Sequence, residues 1–330
     1  MHGDYGDIRY VRLFFTIEFL EDGPLPKWKA SALRGGMGEM LLRHFCINGR
    51  KCRMSKYHMA EKCGFEDECI VQRIMKSKMD ILPDFMSESD SIGFIFDCDD
   101  FRTEAKAGDT LEFDLTLFGK CIIHFRQILD AFFGLGMEGL GENRIRFKVV
   151  SVLNSRKHPI LNDKVFDLRS VIPDTVREYI DHRLDRMGKG TGDRDIMLAI
   201  NTPVTVKHKG TKLTHKEDFI RYFDSEALVD TLTTRAYILS CFEGIEMSRH
   251  FYRDSFPVVE DIRCHEEERS RAPSDTGEKM TFKGIVGRIG LRDVSDELLR
   301  LLFAGELMHI GKTTSFGLGR YRVMIKDDKE

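Results

Sequence analysis

At 330 residues, with 42% hydrophobic and 32% charged residues, the chain is long enough for two ordinary domains with real cores. No apolar run reaches 18 residues, and "MHGDYGDIRY" lacks the basic-then-apolar layout of a signal peptide, so a cytoplasmic protein without membrane contact is expected. A formal net charge of −3 excludes a uniformly basic nucleic-acid binder but leaves room for a local basic groove.

The first element reads as a strand. In "YVRLFFTIEF" the residues Val11, Leu13, Phe15, Ile17 and Phe19 fall on one face at period two. Pro24 and Pro26 end it, and a helix follows over about 30–45, with Leu33, Met37, Met40 and Leu41 on one stripe. Gly35, Gly36 and Gly38 each cost such a helix roughly 1 kcal/mol against alanine, which predicts a close approach by another backbone or a ligand.

Next comes a segment holding Cys46, Cys52, Cys63 and Cys69, spaced more loosely than the tight pairs of zinc ribbons. Reduced cysteines in an insertion over about 46–90 are one reading, and a structural metal with His58 as a spare ligand is the other. Strands near 92–97 and 110–118 follow, then a helix over 124–136 ended by glycines, then a strand over 143–153. Strand, helix, strand, strand, helix, strand is the ferredoxin-like split βαβ shared by many RNA-binding modules.

Residues 154–195 read as charged loop, and the order then repeats without any repeat of sequence. A strand over 195–210 precedes a helix in one or two pieces capped by Thr214. "EEERSR" (266–271) reads as a solvated loop, and 278–291 as a strand bent at Gly284 and Gly287. A helix over 295–307 has Ser295 as its N-cap and Gly305 as its stop; "RYRVMIK" closes as a strand. The expected fold is α+β: two tandem ferredoxin-like (RRM-like) domains, 1–194 with the cysteine-rich insertion and 195–330 with a glycine-rich loop at 309–319.

That loop, "HIGKTTSFGLGRY", admits three readings. A nucleotide-binding phosphate loop needs four residues between its first glycine and Gly-Lys, and a strand before it. Here five residues separate Gly305 from Gly311-Lys312-Thr313, and a helix precedes them, which excludes it. A plain turn needs fewer glycines than Gly311, Gly317 and Gly319. A groove for a sugar-phosphate chain remains: Lys312 and Arg320 supply positive charge, and Gly311, Thr313, Ser315, Gly317 and Gly319 supply backbone and hydroxyl donors. Arg322 and Lys326 extend the basic run with no acid before 327.

The loop resembles the C-terminal glycine-rich loop of the RAMP superfamily, and more narrowly that of the CRISPR-associated endoribonucleases that process repeat RNA, the sixth numbered Cas family. "LRGGMGEML" (33–41), "LTLFGKC" (115–121), "GLGMEGLGENRIRF" (134–147), "NTPVTVK" (201–207) and "FKGIVGRI" (282–289) agree with it in order along nearly the whole chain. One departure stands out: the superfamily loop begins Gly-hydrophobic-Gly, and this chain has His309 in the first glycine position, which puts an imidazole beside the expected RNA groove.

The resemblance implies a metal-independent nuclease, with no cofactor, that cuts CRISPR precursor RNA within the repeat to give crRNA. The 2′-hydroxyl attacks its neighbouring phosphate and leaves a 2′,3′-cyclic phosphate and a 5′-hydroxyl. It also implies partners: CRISPR repeat RNA or crRNA, and subunits of a CRISPR effector complex. In the family a catalytic histidine often sits on or just after the first helix, which points to His44 as general acid/base, with His309 as runner-up. Lys51 and Tyr57, after the helix, suit an electrostatic or second proton role, with Arg53 beside them. His44 shares the stripe of Leu33, Met37, Met40 and Leu41, so a core histidine is the alternative. His250, Phe251 and Tyr252 trail as a site histidine and base-stacking aromatics; His124 and His182 read as structural. Two rival functions remain open: a RAMP subunit that holds crRNA without cutting it, and a metal enzyme built on the cysteines, which chelation would inactivate.

Overall fold

The computed structural model describes residues 4–48, 63–65, 68–76, 79, 82–86, 91–162, 165–188, 194–271 and 280–325. The chain forms two units: Tyr10–Pro173, and Met1–Arg9 together with Asp174–Glu330.

In the N-terminal unit the order is β1 (Arg9–Phe19), α1 (Lys29–Phe45), α2 (Ile70–Met75), β2 (Phe94–Asp97), β3 (Thr110–Phe118), α3 (Phe125–Glu138), β4 (Phe147–Leu153), β5 (Pro159–Asn162) and β6 (Val165–Phe166). The strands lie in the order β2-β3-β1-β4-β5-β6, with antiparallel pairing at every step. Its first four strands run 2-3-1-4 across the sheet, the ferredoxin-like arrangement. Period-two patterning places Leu13, Phe15 and Ile17 of β1 inward, where all three are almost fully buried. Phe15 stacks on Phe113 at 4.9 Å between ring centres and meets Phe132 of α3 at 5.0 Å, so sheet and helix share one aromatic core.

In the C-terminal unit the order is α4 (Val176–Met187), β7 (Arg194–Val204), β8 (Val206–His208), β9 (Thr211–Leu213), α5 (Lys216–Tyr222), α6 (Ser225–Glu243), β10 (Val258–Arg271), β11 (Met280–Val294), α7 (Asp296–Met308) and β12 (Tyr321–Ile325). Its sheet runs β10-β11-β7-β12, the same 2-3-1-4 order, and β8–β9 form a separate hairpin. Leu198 of β7, Ile289 and Leu291 of β11, Leu232 and Leu239 of α6, and Leu298, Leu299 and Leu302 of α7 are nearly inaccessible and make its core.

Several expectations change. The division falls at Pro173 and not at 194, because the stretch read as loop contains α4. That helix carries a complete capping box between Thr175 and Glu178 and sends Arg183 to Glu306 on α7. "EEERSR" is no loop: it ends β10, paired in register with β11 from Glu266↔Ile285 to Arg271↔Met280. The helix over 125–138 runs through Gly134 and Gly136 and stops at Gly139, whose φ of +94° suits glycine. Gly305 also lies inside its helix, where an added Cβ would meet Leu232 at 2.6 Å and collide with the Tyr321 hydroxyl. Thr214 caps nothing; Asp224 caps α6 by accepting from the Ala227 N–H.

Candidate functional site

His44 sits in the last turn of α1 and is itself exposed, although Met40 and Leu41 one turn earlier on its stripe are buried, so it is not a core histidine. Beside it Arg43 bridges Glu39 of its own helix (3.0 Å) and Glu138 at the end of α3 (2.9 Å), which ties the two helix ends together. The His44 ring lies over Gly134 of α3. A Cβ at that glycine would overlap the ring's Cε1 and approach Nε2 to 3.0 Å. The neighbouring glycines of α1 work alike: Gly36 admits Leu135 and Gly38 admits Met75, while Gly35 meets nothing within 4 Å. Side chains, and not the backbone or ligand expected from the sequence, approach two of those three positions.

The glycine-rich segment of the C-terminal unit is anchored more tightly than a free-running loop. The Ile310 N–H donates to Gly319 O, Gly319 N–H to Pro203 O, Lys312 N–H to Thr205 O, and Arg320 N–H to the Thr202 hydroxyl. Thr314, Ser315, Phe316 and Leu318 are buried, and Phe316 packs on Phe282 at 5.1 Å. Gly311, Gly317 and Gly319 have φ of +77°, +77° and +74°, the left-handed region that costs other residues most. A Cβ at Gly311 would stand 2.5 Å from Thr205 O, and one at Gly319 would overlap the Ile310 carbonyl. These glycines therefore serve first to fold the loop against β7. Its open rim consists of Lys312, which is exposed, with Gly311, Thr313 and Arg320 half-exposed. Lys312 forms no ion pair among the described residues.

Two of the expected site residues are placed differently. His309 is 2% exposed, and its Nδ1 donates to Leu318 O at 3.1 Å, so its imidazole lies inside the loop and not beside a groove. Its φ of +55° explains why glycine is usual there. Ser315 is likewise 2% exposed and offers no hydroxyl at the rim. Lys51, Tyr57 and Cys52, with Arg53 and His58, lie outside the described residues. Cys46, Cys63 and Cys69 are half-buried; among the described residues they form no cluster of metal-binding geometry. Phe251 rests against Tyr5 at 5.1 Å and Tyr252 is buried, as core aromatics are.

Sequence reading missed three groups. Arg235, fully buried on α6, donates from Nε to Met308 O at the end of α7, just before the loop. Burial pushes its pKa down to about 9, which leaves it charged at neutral pH. Glu306, nearly inaccessible, accepts from Arg183 Nε (2.7 Å), the Tyr179 hydroxyl (3.2 Å) and the Val323 N–H (2.6 Å). The third, Gly134, was disguised by "AFFGLG", which reads as a helix end.

Two ferredoxin-like units in tandem, the second closing on a glycine-rich loop before its last strand, define the class of fold. Residues 8–174 match the AF_1859_N family model, an N-terminal domain, and residues 198–321 match that of the CRISPR-associated endoribonuclease Cas6. The first model covers half of the chain, which belongs to the family that model describes; the second covers part of the C-terminal unit, and there the chain is similar to Cas6.

Among solved structures it is similar to a partial Cas6-RT-Cas1–Cas2 complex, at 11% identity and a TM-score of 0.56, over 97% of this chain and 47% of that one. The corresponding Cas6-RT-Cas1–Cas2 complex gives 11% identity and 0.56 over 97% and 29%. The chain thus spans less than half the length of these two. Cas6 of Thermus thermophilus matches at 12% identity and 0.45 over 96% and 99%. At such identities the likeness is one of fold. No curated protein matches the chain by sequence. Among the described residues, no helix is long and apolar enough to cross a membrane.

Proposed function

We propose that the chain is a metal-independent endoribonuclease that cuts CRISPR precursor RNA within its repeat. Attack of the 2′-oxygen on the adjacent phosphorus breaks the bond to the 5′-oxygen and leaves a 2′,3′-cyclic phosphate and a 5′-hydroxyl. One group must take the proton of the 2′-hydroxyl, another must protonate the leaving 5′-oxygen, and a cation must offset the charge on phosphorus. The observation that carries this reading is His44, an exposed histidine at the end of the first helix, seated on a glycine that leaves it room. Imidazole supplies either proton role near neutral pH. Lys51 and Tyr57 are assigned to the remaining electrostatic and proton roles. Lys312, Gly311, Thr313 and Arg320 on the loop's rim hold the sugar-phosphate chain; Gly317 and Gly319 shape the loop that presents them. Repeat RNA is the substrate, crRNA the product, and other CRISPR proteins the partners, as the similar complexes containing Cas1 and Cas2 suggest.

The test is cleavage of an end-labelled RNA carrying the host's repeat, in EDTA, with the product ends analysed. One cut within the repeat that leaves a cyclic phosphate supports the reading. Tight binding without a cut would instead make this a subunit that holds crRNA, and loss of cleavage on chelation would require a metal in the reaction.

A further inference from the structure

We infer that His208, Asp224 and Glu226 form a binding site for a divalent transition-metal ion, structural in role, that pins the β8–β9 hairpin to the start of α6. One ligand atom from each of the three lies within 4.8 Å of the other two. Ligands about 2.0–2.2 Å from a shared ion stand roughly 3–4 Å apart, so a small rotation of the exposed Glu226 completes the set.

The histidine is what points to a ligand. Its side chain is only 9% exposed, and among the described residues its ring makes no hydrogen bond; its Nε2 stands 3.8 Å from Asp224 Oδ1, too far for one. The ring nitrogens keep access to water although the side chain is mostly buried, and an ion between ring and carboxylate would take the place of that water. The site is also pre-oriented. Lys209 and Gly210 have φ of +46° and +87°, the two-residue turn that closes a tight hairpin, and this fixes His208 at the end of its strand. Asp224 Oδ1 accepts the Ala227 N–H at 2.8 Å, which holds that carboxylate in place.

Glu226 at present pairs with Lys209 Nζ at 2.8 Å. Both of those side chains are largely exposed, so the ammonium can be displaced, and it competes with the ion for the same carboxylate. One imidazole nitrogen and two carboxylates, with water in the remaining positions, suit Zn2+, Co2+ or Mn2+. The hairpin follows directly from Thr205, whose carbonyl accepts the Lys312 N–H and stands against Gly311. An ion that fixes the hairpin therefore steadies the floor of the glycine-rich loop and takes no part in chemistry at a phosphate. The inference stands apart from the proposed nuclease reaction.

The experiment titrates Co2+ and Zn2+ into the full chain after EDTA treatment and desalting, and follows binding by calorimetry, melting temperature and the Co2+ spectrum. The expected result is one ion per chain without thiolate charge-transfer bands, and a melting temperature raised by several degrees at saturation. His208→Ala and Glu226→Gln should each remove that rise, and Lys209→Ala should tighten binding several-fold. Asp224→Asn keeps a capping side chain and should weaken binding without unfolding α6. Cleavage in EDTA is expected to persist at 25 °C. No rise with either ion up to about 1 mM, or a rise that survives both His208→Ala and Glu226→Gln, would overturn the inference. Ions held only by cysteine thiolates would overturn it equally.

Discussion

At Gly134 one missing methyl decides where an imidazole lies. Gly134→Ala would push the His44 ring off α3 while improving the helix propensity of its own position. We expect single-turnover cleavage to fall by roughly 10- to 100-fold, as misplacement of a catalytic group by about 1 Å does, with unchanged RNA affinity and a melting temperature no lower than wild type. Unaltered cleavage would mean that the ring is not used from that seat. On the loop, Lys312 and Gly319 should separate binding from folding. Lys312→Ala should leave stability within about 0.5 kcal/mol and reduce the slope of log affinity against log salt by about 1. Gly319→Ala, at φ +74° and overlapping Ile310 O, should cost about 2–4 kcal/mol in denaturant unfolding.

Among the elements, α4 and β10 show what a single sequence hides. Neither has a clean apolar period: α4 buries only Val176 and Ile180, and β10 is an edge strand paired on one side, with half-buried or exposed side chains along most of its length. An edge strand gains its order from the backbone ladder with β11, and its charges guard the free edge, so charge there reads as loop. By contrast β1, β3, α1 and α7 were legible because one face of each is predominantly apolar. What holds α4 is a polar contact invisible to pattern reading, Arg183 against the buried Glu306 carboxylate. Arg183→Ala strands that carboxylate with two remaining donors and should cost about 3–5 kcal/mol, measured by urea unfolding. A loss under 1 kcal/mol would show the pair to be dispensable.

For the whole molecule, the tandem ferredoxin-like plan followed from element order alone, since each fourfold set of strands can close only with its helices on the apolar face. The candidate site was legible in part. His44 was found by its place in the chain, but its seat on Gly134 and the burial of His309 and Ser315 depend on residues brought together only by folding. The division of the chain predicts that residues 10–173 fold cooperatively alone. A fragment of 174–330 should be less stable than one that also carries 1–9, because Asp4 and Asp7 both hold Arg177. The measurement that bears most directly on the whole account compares wild-type and His44→Ala protein in EDTA, reading the single-turnover rate on repeat RNA alongside the dissociation constant. The account predicts a rate at least about 100-fold lower for the variant, with binding unchanged; a variant that cuts at the wild-type rate would contradict it.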